Sequence, residues 1–139
     1  MKPTRFILVD NDGLNNTLCK FFINRVFPDM EIVDFILPEK GFHYMETAFT
    51  IDKPIPSILL LDINMPIMNG WEFLKKYGWL DKKIQDQITV YILSSSVDNK
   101  DQDFSADHKN VKRYLVKPIT LEAIEKKYEE NDFAIYSPG

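Results

Sequence analysis

The sequence predicts an α/β protein built on a parallel sheet of five strands with helices on both faces. Three observations carry this. Short aliphatic runs alternate with segments of helical periodicity along the whole chain. The runs lack the polar alternation of a half-solvated strand, so they read as strands buried on both faces. Several of them stop at a residue that carries chemistry, and open α/β sheets place their sites at the carboxyl ends of strands.

Each element has its own warrant. Phe6-Ile7-Leu8-Val9 is the first buried strand, closed by Asp10-Asn11-Asp12-Gly13. Leu14, Leu18, Phe21, Phe22 and Val26 recur at helical spacing and are expected to face the core, with Pro28 just beyond that helix. Residues 31–37 form a more polar second strand, suited to a sheet edge, which Pro38 ends. Phe42, Met45, Ala48 and Phe49 mark one face of a second helix. Pro54 and Pro56 punctuate the loop before the third strand, residues 57–62.

That strand is the centre of the chain. Four aliphatics, Ile58-Leu59-Leu60-Leu61, end at Asp62 and lead into Ile63-Asn64-Met65-Pro66. Trp71, Phe73, Leu74 and Tyr77 indicate a third helix, and residues 81–87 either extend it or form a loop. Val90-Tyr91-Ile92-Leu93 is the fourth strand, running into Ser94-Ser95-Ser96. A fourth helix is expected within residues 99–108, thin in apolar content, with Phe104 its one large apolar residue. Tyr114-Leu115-Val116 is the fifth strand, ending at Lys117-Pro118. Thr120 then reads as an N-cap, with Leu121, Ile124 and Tyr128 on the buried face of the last helix. Parallel neighbours require crossover connections, and right-handed crossovers distribute the helices over both faces.

At 139 residues the chain fits one domain, residues 1–139, with a tail at 131–139 expected to fray. The net charge of -4 and the lack of a basic cluster argue against nucleic acid as a partner. No apolar run approaches a membrane span, and Phe6-Ile7-Leu8-Val9 is too short for a signal peptide, so no membrane role is expected and the compartment is the cytoplasm. The single cysteine, Cys19, lies in an apolar helical pattern and reads as a buried thiol. His43 and His108 are isolated and lack metal-ligand spacing; Trp71 and Trp79 read as packing and partial surface.

If the strands are parallel, their ends bring together Asp10, Asn11 and Asp12, then Asp62, Ser94 and Lys117. Clustered carboxylates repel one another unless a cation neutralises them. Hard oxygen donors suit Mg2+, which takes one or two carboxylates together with waters and phosphate oxygens. An ammonium and a hydroxyl suit the other oxygens of a phosphoryl group. Ser94 follows the strand register best, with Ser95 and Ser96 as the competing hydroxyls.

Four segments carry a resemblance. Ile7-Leu8-Val9-Asp10-Asn11-Asp12, Leu60-Leu61-Asp62-Ile63-Asn64-Met65-Pro66 with Gly70, Ile92-Leu93-Ser94-Ser95, and Leu115-Val116-Lys117-Pro118 stand in order at strand ends. Each is weak alone; together they are specific. The chain resembles the receiver domain of two-component response regulators, of the stand-alone chemotaxis-regulator kind, over about residues 2–130. The resemblance implies a doubly wound, flavodoxin-like sheet of strand order 2-1-3-4-5. It implies that Asp62 accepts a phosphoryl group from a histidine kinase or a histidine phosphotransfer protein. Mg2+ would be organised by Asp10, Asn11, Asp62 and the backbone carbonyl of Asn64. Ser94 would take the hydroxyl position, Tyr114 the aromatic switch position and Lys117 the phosphate-contacting position. The Lys117–Pro118 peptide would be cis. Such a domain is a switch and not an enzyme with turnover, catalysing at most its own phosphorylation and dephosphorylation. Its output would be a contact with an unknown output protein on the surface of the fourth helix, fifth strand and fifth helix.

The departure is Asn11, where the family usually has a second aspartate. An amide oxygen can coordinate but brings no charge, and Asp12, one residue on, is the alternative donor. A competing resemblance is to phosphohydrolases of the haloacid dehalogenase type, with Asp10 as nucleophile and Asp12 as acid/base. The order of elements argues against it. That family places its later acidic motif after the serine and lysine, whereas Asp62 precedes both.

Overall fold

The computed structural model describes residues 3–65, 68–94, 111–117, 119–120 and 122. Five parallel strands form one sheet: β1 (Arg5–Val9), β2 (Glu31–Phe35), β3 (Ser57–Asp62), β4 (Ile88–Ser94) and β5 (Val111–Val116). Their order is β2-β1-β3-β4-β5, the doubly wound arrangement expected. The helices are α1 (Gly13–Val26), α2 (Pro38–Ala48), α3 (Gly70–Tyr77) and the single turn α4 (Lys82–Gln85).

All six residues of β3 are buried, as a strand covered on both faces must be. Successive side chains point to opposite faces, so β1 and β3 each feed two cores. Ile7, Val9, Leu59 and Leu61 pack with Phe42 and Met45 of α2 and with Phe73, Leu74 and Tyr77 of α3. Phe6, Leu8, Ile58 and Leu60 pack with Cys19 and Ile23 of α1. Burying a large aliphatic or aromatic side chain contributes about 2 kcal/mol, so these two layers hold the helices to the sheet.

Three expectations are corrected. The face of α1 that meets the sheet is Asn15, Asn16, Cys19 and Ile23. Leu14, Leu18 and Phe21, expected in the core, are exposed, Leu14 by 69% and Phe21 by 55%; Phe22 and Val26 are partly buried against the core. Two asparagines thus occupy buried positions, which requires polar partners for their amides. The second strand stops at Phe35, two residues early, because Pro38 begins α2 at a position where its missing N–H costs nothing. Residues 81–87 neither extend α3 nor form a plain loop. Asp81 caps the separate turn α4 by accepting from the Lys83 N–H at 2.8 Å. The Tyr77 hydroxyl donates to the Gln85 carbonyl at 3.2 Å, and Gln85 Nε2 donates to the Leu80 carbonyl at 2.8 Å.

The expected helix at 99–108, Ser95 and Ser96, the Lys117–Pro118 peptide, the tail at 131–139 and, apart from Glu122, the last helix at 121–128 lie outside the described residues.

Candidate functional site

Backbone hydrogen bonds carry the strand ladders one residue past their ends. Asp10 N donates to the Phe35 carbonyl at 3.0 Å, Ile63 N to the Leu93 carbonyl at 3.1 Å, and Lys117 N to the Ser94 carbonyl at 2.7 Å. With Asp62 opposite Leu93 and Ser94 opposite Val116, the carboxyl edge presents Asp10, Asp62, Ser94 and Lys117 together. Asp10, Asp62 and Ser94 are all buried.

The helix after β3 is held close to this edge. Asn69 caps α3 by accepting from Glu72 N at 2.9 Å, while Glu72 Oε1 accepts from Asn69 N at 3.3 Å. Gly70 N then donates to the Ile63 carbonyl at 3.1 Å.

Lys117 binds the two acids. Its Nζ lies 2.7 Å from Asp10 Oδ2 and 3.5 Å from Asp62 Oδ2. Asp10 Oδ1 accepts from Asp12 N at 2.9 Å, and Asp10 Oδ2 accepts also from Asn15 Nδ2 at 2.8 Å. Asp62 Oδ1 accepts from Asn64 N at 3.0 Å. Burial pushes the Asp62 carboxyl above the usual carboxylate range; the Asn64 N–H and Lys117 oppose this, while Asp10 adds to it. Burial works against the Lys117 ammonium, but Asp10 and then Asp62 outweigh it, and its pKa is raised.

Ser94 Oγ accepts from Asn64 Nδ2 at 3.3 Å, so the hydroxyl is tethered beside Asp62. Tyr114 stands opposite Ile92 on β5, half-buried against the core layer of α2 and α3. Asn11 is exposed, next to Asp10. The Asp12 side chain serves α1 instead, where its Oδ1 accepts from Leu14 N at 3.0 Å and Asn15 N at 3.3 Å and so caps the helix. His43 is exposed, Trp71 is partly buried against the core, and Trp79 is exposed.

Two residues of the site have no place in the sequence reading. Asn15 and Asn16 both turn inward to Asp10, Asn16 by donating from Nδ2 to its carbonyl at 3.0 Å. For Asn15 the one signal is the spacing: Asn15, Cys19 and Ile23 lie at i, i+4 and i+8, one stripe of a helix.

Among the described residues no three of His, Cys, Asp or Glu cluster as a metal site. The carboxylate pair Asp10 and Asp62 is chemically suited to Mg2+, because that ion needs only one or two carboxylates and otherwise takes water and phosphate oxygens. Among the described residues no helix is long and apolar enough to cross a membrane.

Comparison with known proteins gives the family and the fold. The family model of the response regulator receiver domain matches residues 6–129. The chain is 33% identical over 126 residues to a chemotaxis protein CheY homolog of Campylobacter jejuni, covering 91% of this chain and 90% of that protein. It is 31% identical over 126 residues to the nitrate/nitrite response regulator protein NarL of Escherichia coli K12, covering 90% of this chain. It spans about half of NarL, 53% of its length. A two component response regulator from Cytophaga hutchinsonii superposes with a TM-score of 0.79 at 26% identity, over 94% of this chain and 97% of that one. A response regulator receiver protein from Dyadobacter fermentans shares the fold, with a TM-score of 0.80 at 21% identity over 91% of this chain and 95% of that one.

Proposed function

The chain belongs to the response regulator receiver domain family, and from that premise we propose that Asp62 is the residue that accepts the phosphoryl group. The domain is a phosphorylation-controlled switch of two-component signalling, not a member of a catalytic enzyme family, and its family implies a cognate histidine kinase. The observation that carries the assignment to Asp62 is the shared ammonium: Lys117 spans Asp10 and Asp62 at the buried carboxyl edge of the sheet.

Asp62 Oδ1 is held by the Asn64 N–H, which leaves Oδ2, the oxygen facing Lys117, as the nucleophile. Its lone pair forms the new P–O bond as the P–N bond to a donor phosphohistidine breaks; the bond pair stays on that ring nitrogen, and the imidazole, already protonated at its other nitrogen, leaves neutral. The Lys117 ammonium turns to a phosphoryl oxygen, and the Ser94 hydroxyl donates to another. Asp10 and Asp62, with Asn11 and the Asn64 carbonyl, would hold Mg2+, which when bound supplies the neutralising charge that phosphoryl transfer requires. The chain's own contribution is alignment and fixed charge.

For Ser94 to reach a phosphoryl oxygen it must leave the Asn64 amide, and Tyr114 fills the space it vacates. This would convert a charge at Asp62 into a changed surface around β5, read by an output protein. The donor is a histidine kinase or a histidine phosphotransfer protein.

The haloacid dehalogenase reading finds no support in the site. Asp12, its acid/base, is exposed and occupied in capping α1.

The test is incubation with acetyl phosphate and Mg2+, followed by intact mass and borohydride trapping. One added phosphoryl group at Asp62 is expected. Modification of Asp10 or Asp12 with Asp62 intact overturns the assignment.

A further inference from the structure

We propose that Asn15 is the positioning residue of the cation site, its amide fixing the Asp10 carboxylate in the orientation from which that carboxylate meets a divalent ion. This rests on the reading of Asp10 as a metal-organising acid.

Asn15 is buried in the first turn of α1, and its amide nitrogen has two acceptors. Nδ2 lies 2.8 Å from Asp10 Oδ2 and 3.7 Å from the sulfur of Cys19, one turn further along the helix. The amide has a single sensible orientation. Turned over, its carbonyl oxygen would face a carboxylate oxygen with no proton between them. Cys19 is itself fully buried. Burial, then Asp10, raise its thiol pKa to about 11, so it stays a neutral, fixed neighbour. The arrangement is therefore a chain of contacts from the core to the site: Cys19 steers Asn15, and Asn15 steers Asp10.

Among the described residues Asp10 has two other donors, and they differ in permanence. The Asp12 N–H on Oδ1 is backbone and stays. Lys117 on Oδ2 is shared with Asp62, and it turns away when a phosphoryl group arrives. Asn15 is then the donor that keeps Oδ2 satisfied and the carboxylate in place. A neutral amide does this without cancelling the negative charge that a cation needs, as a second lysine would. That matters in this chain because Asn11 contributes no charge beside Asp10. Partners of this kind, hydrogen-bonded to a liganding carboxylate, orient it and set its affinity.

The test is calorimetric titration of the whole chain with Mg2+ and, separately, Ca2+, comparing the native protein with Asn15→Leu and Cys19→Ala. Mg2+ demands near-ideal octahedral geometry and Ca2+ tolerates irregular sites, so lost orientation weakens Mg2+ far more. Asn15→Leu is expected to weaken Mg2+ by about tenfold and Ca2+ by much less; Cys19→Ala shifts Mg2+ the same way by a smaller factor. Should Asn15→Leu not fold, the Cys19→Ala titration decides, together with the Asn15 side-chain amide resonance of the native protein, which must move on adding Mg2+. Unchanged Mg2+ affinity in the variants overturns the inference. Equal weakening of both ions also overturns it, since that is the mark of a merely structural role. Failure of the native protein to bind Mg2+ overturns the reading of Asp10 itself, and this inference with it.

Discussion

Gly70 lies so close to Ile63 that a Cβ placed on it would stand 2.6 Å from the Ile63 Cα, 2.8 Å from its Cγ2 and 2.9 Å from the Asp62 carbonyl oxygen. Two of these three atoms are backbone and cannot rotate away. The glycine is required by the approach of α3 to the end of β3, the point from which Asp62 leaves the sheet. Gly70→Ala is expected to push α3 outward and to destabilise the domain by about 2 kcal/mol, the usual cost of overpacking a filled site. Because the shift acts on the Ile63 and Asp62 backbone, phosphorylation by acetyl phosphate should slow in the same variant. Denaturant unfolding and mass-monitored phosphorylation check both. A variant of native stability would mean that α3 relaxes without cost.

Asp62 is expected to be a liability to the unphosphorylated domain. Burial raises its pKa, with Asp10 adding to the effect. Between the ordinary carboxylate value and the raised one, the native state holds a proton that the unfolded chain has lost. Stability therefore falls as pH rises through that window. Lys117 has the same sign in a higher window: its pKa is raised by Asp10 and Asp62 against its burial, so its stabilising contribution is present at neutral pH and is lost in alkali. Asp62→Asn removes the first effect and leaves Lys117 paired with Asp10. The variant should unfold at a higher temperature than the native protein at neutral pH. Its stability advantage should shrink as pH drops below the raised Asp62 value. Thermal melts across the acid range test this, and an Asp62→Asn protein less stable than native at neutral pH would contradict it.

What the sequence reveals of this fold follows from what dominates it locally. Aliphatic runs such as Ile58-Leu59-Leu60-Leu61 need no tertiary context to read as buried strands, and their ends mark Asp62, Ser94 and Lys117 directly. The face of α1 is different. Leu14, Leu18 and Phe21 sit at the spacing of a core stripe, yet they are exposed, with Arg25 lying over the Phe21 ring at 5.9 Å. Asn15 and Asn16 are buried instead, which is tolerable only because Asp10, from another element, accepts their amides. Hydropathy cannot see a partner supplied by the fold. Asp12 shows the same limit on a smaller scale. Its position beside Asp10 suggests a metal donor, but the free N–H groups at the start of α1 have the nearer claim.

Asn11→Asp is expected to tighten Mg2+ and to loosen the metal-free domain, two effects of opposite sign from one charge. Asn11 is exposed beside Asp10, where an added carboxylate would meet a bound cation through high-dielectric surroundings. A carboxylate about 4 Å from a divalent ion there is worth about 2 kcal/mol, roughly thirtyfold in affinity. Without the cation, the same carboxylate adds a third acid close to Asp10 and Asp62, beside which Lys117 is the one ammonium among the described residues, so unfolding should come at lower denaturant. The stabilisation gained on adding Mg2+ should therefore exceed the native value on both counts. Titration calorimetry gives the affinity, and urea unfolding with and without Mg2+ gives the stabilities. Equal affinities in the two proteins would show that Asp12 already supplies a ligand. Since its Oδ1 holds Leu14 N and Asn15 N, the ligand would then be the second oxygen of that carboxylate.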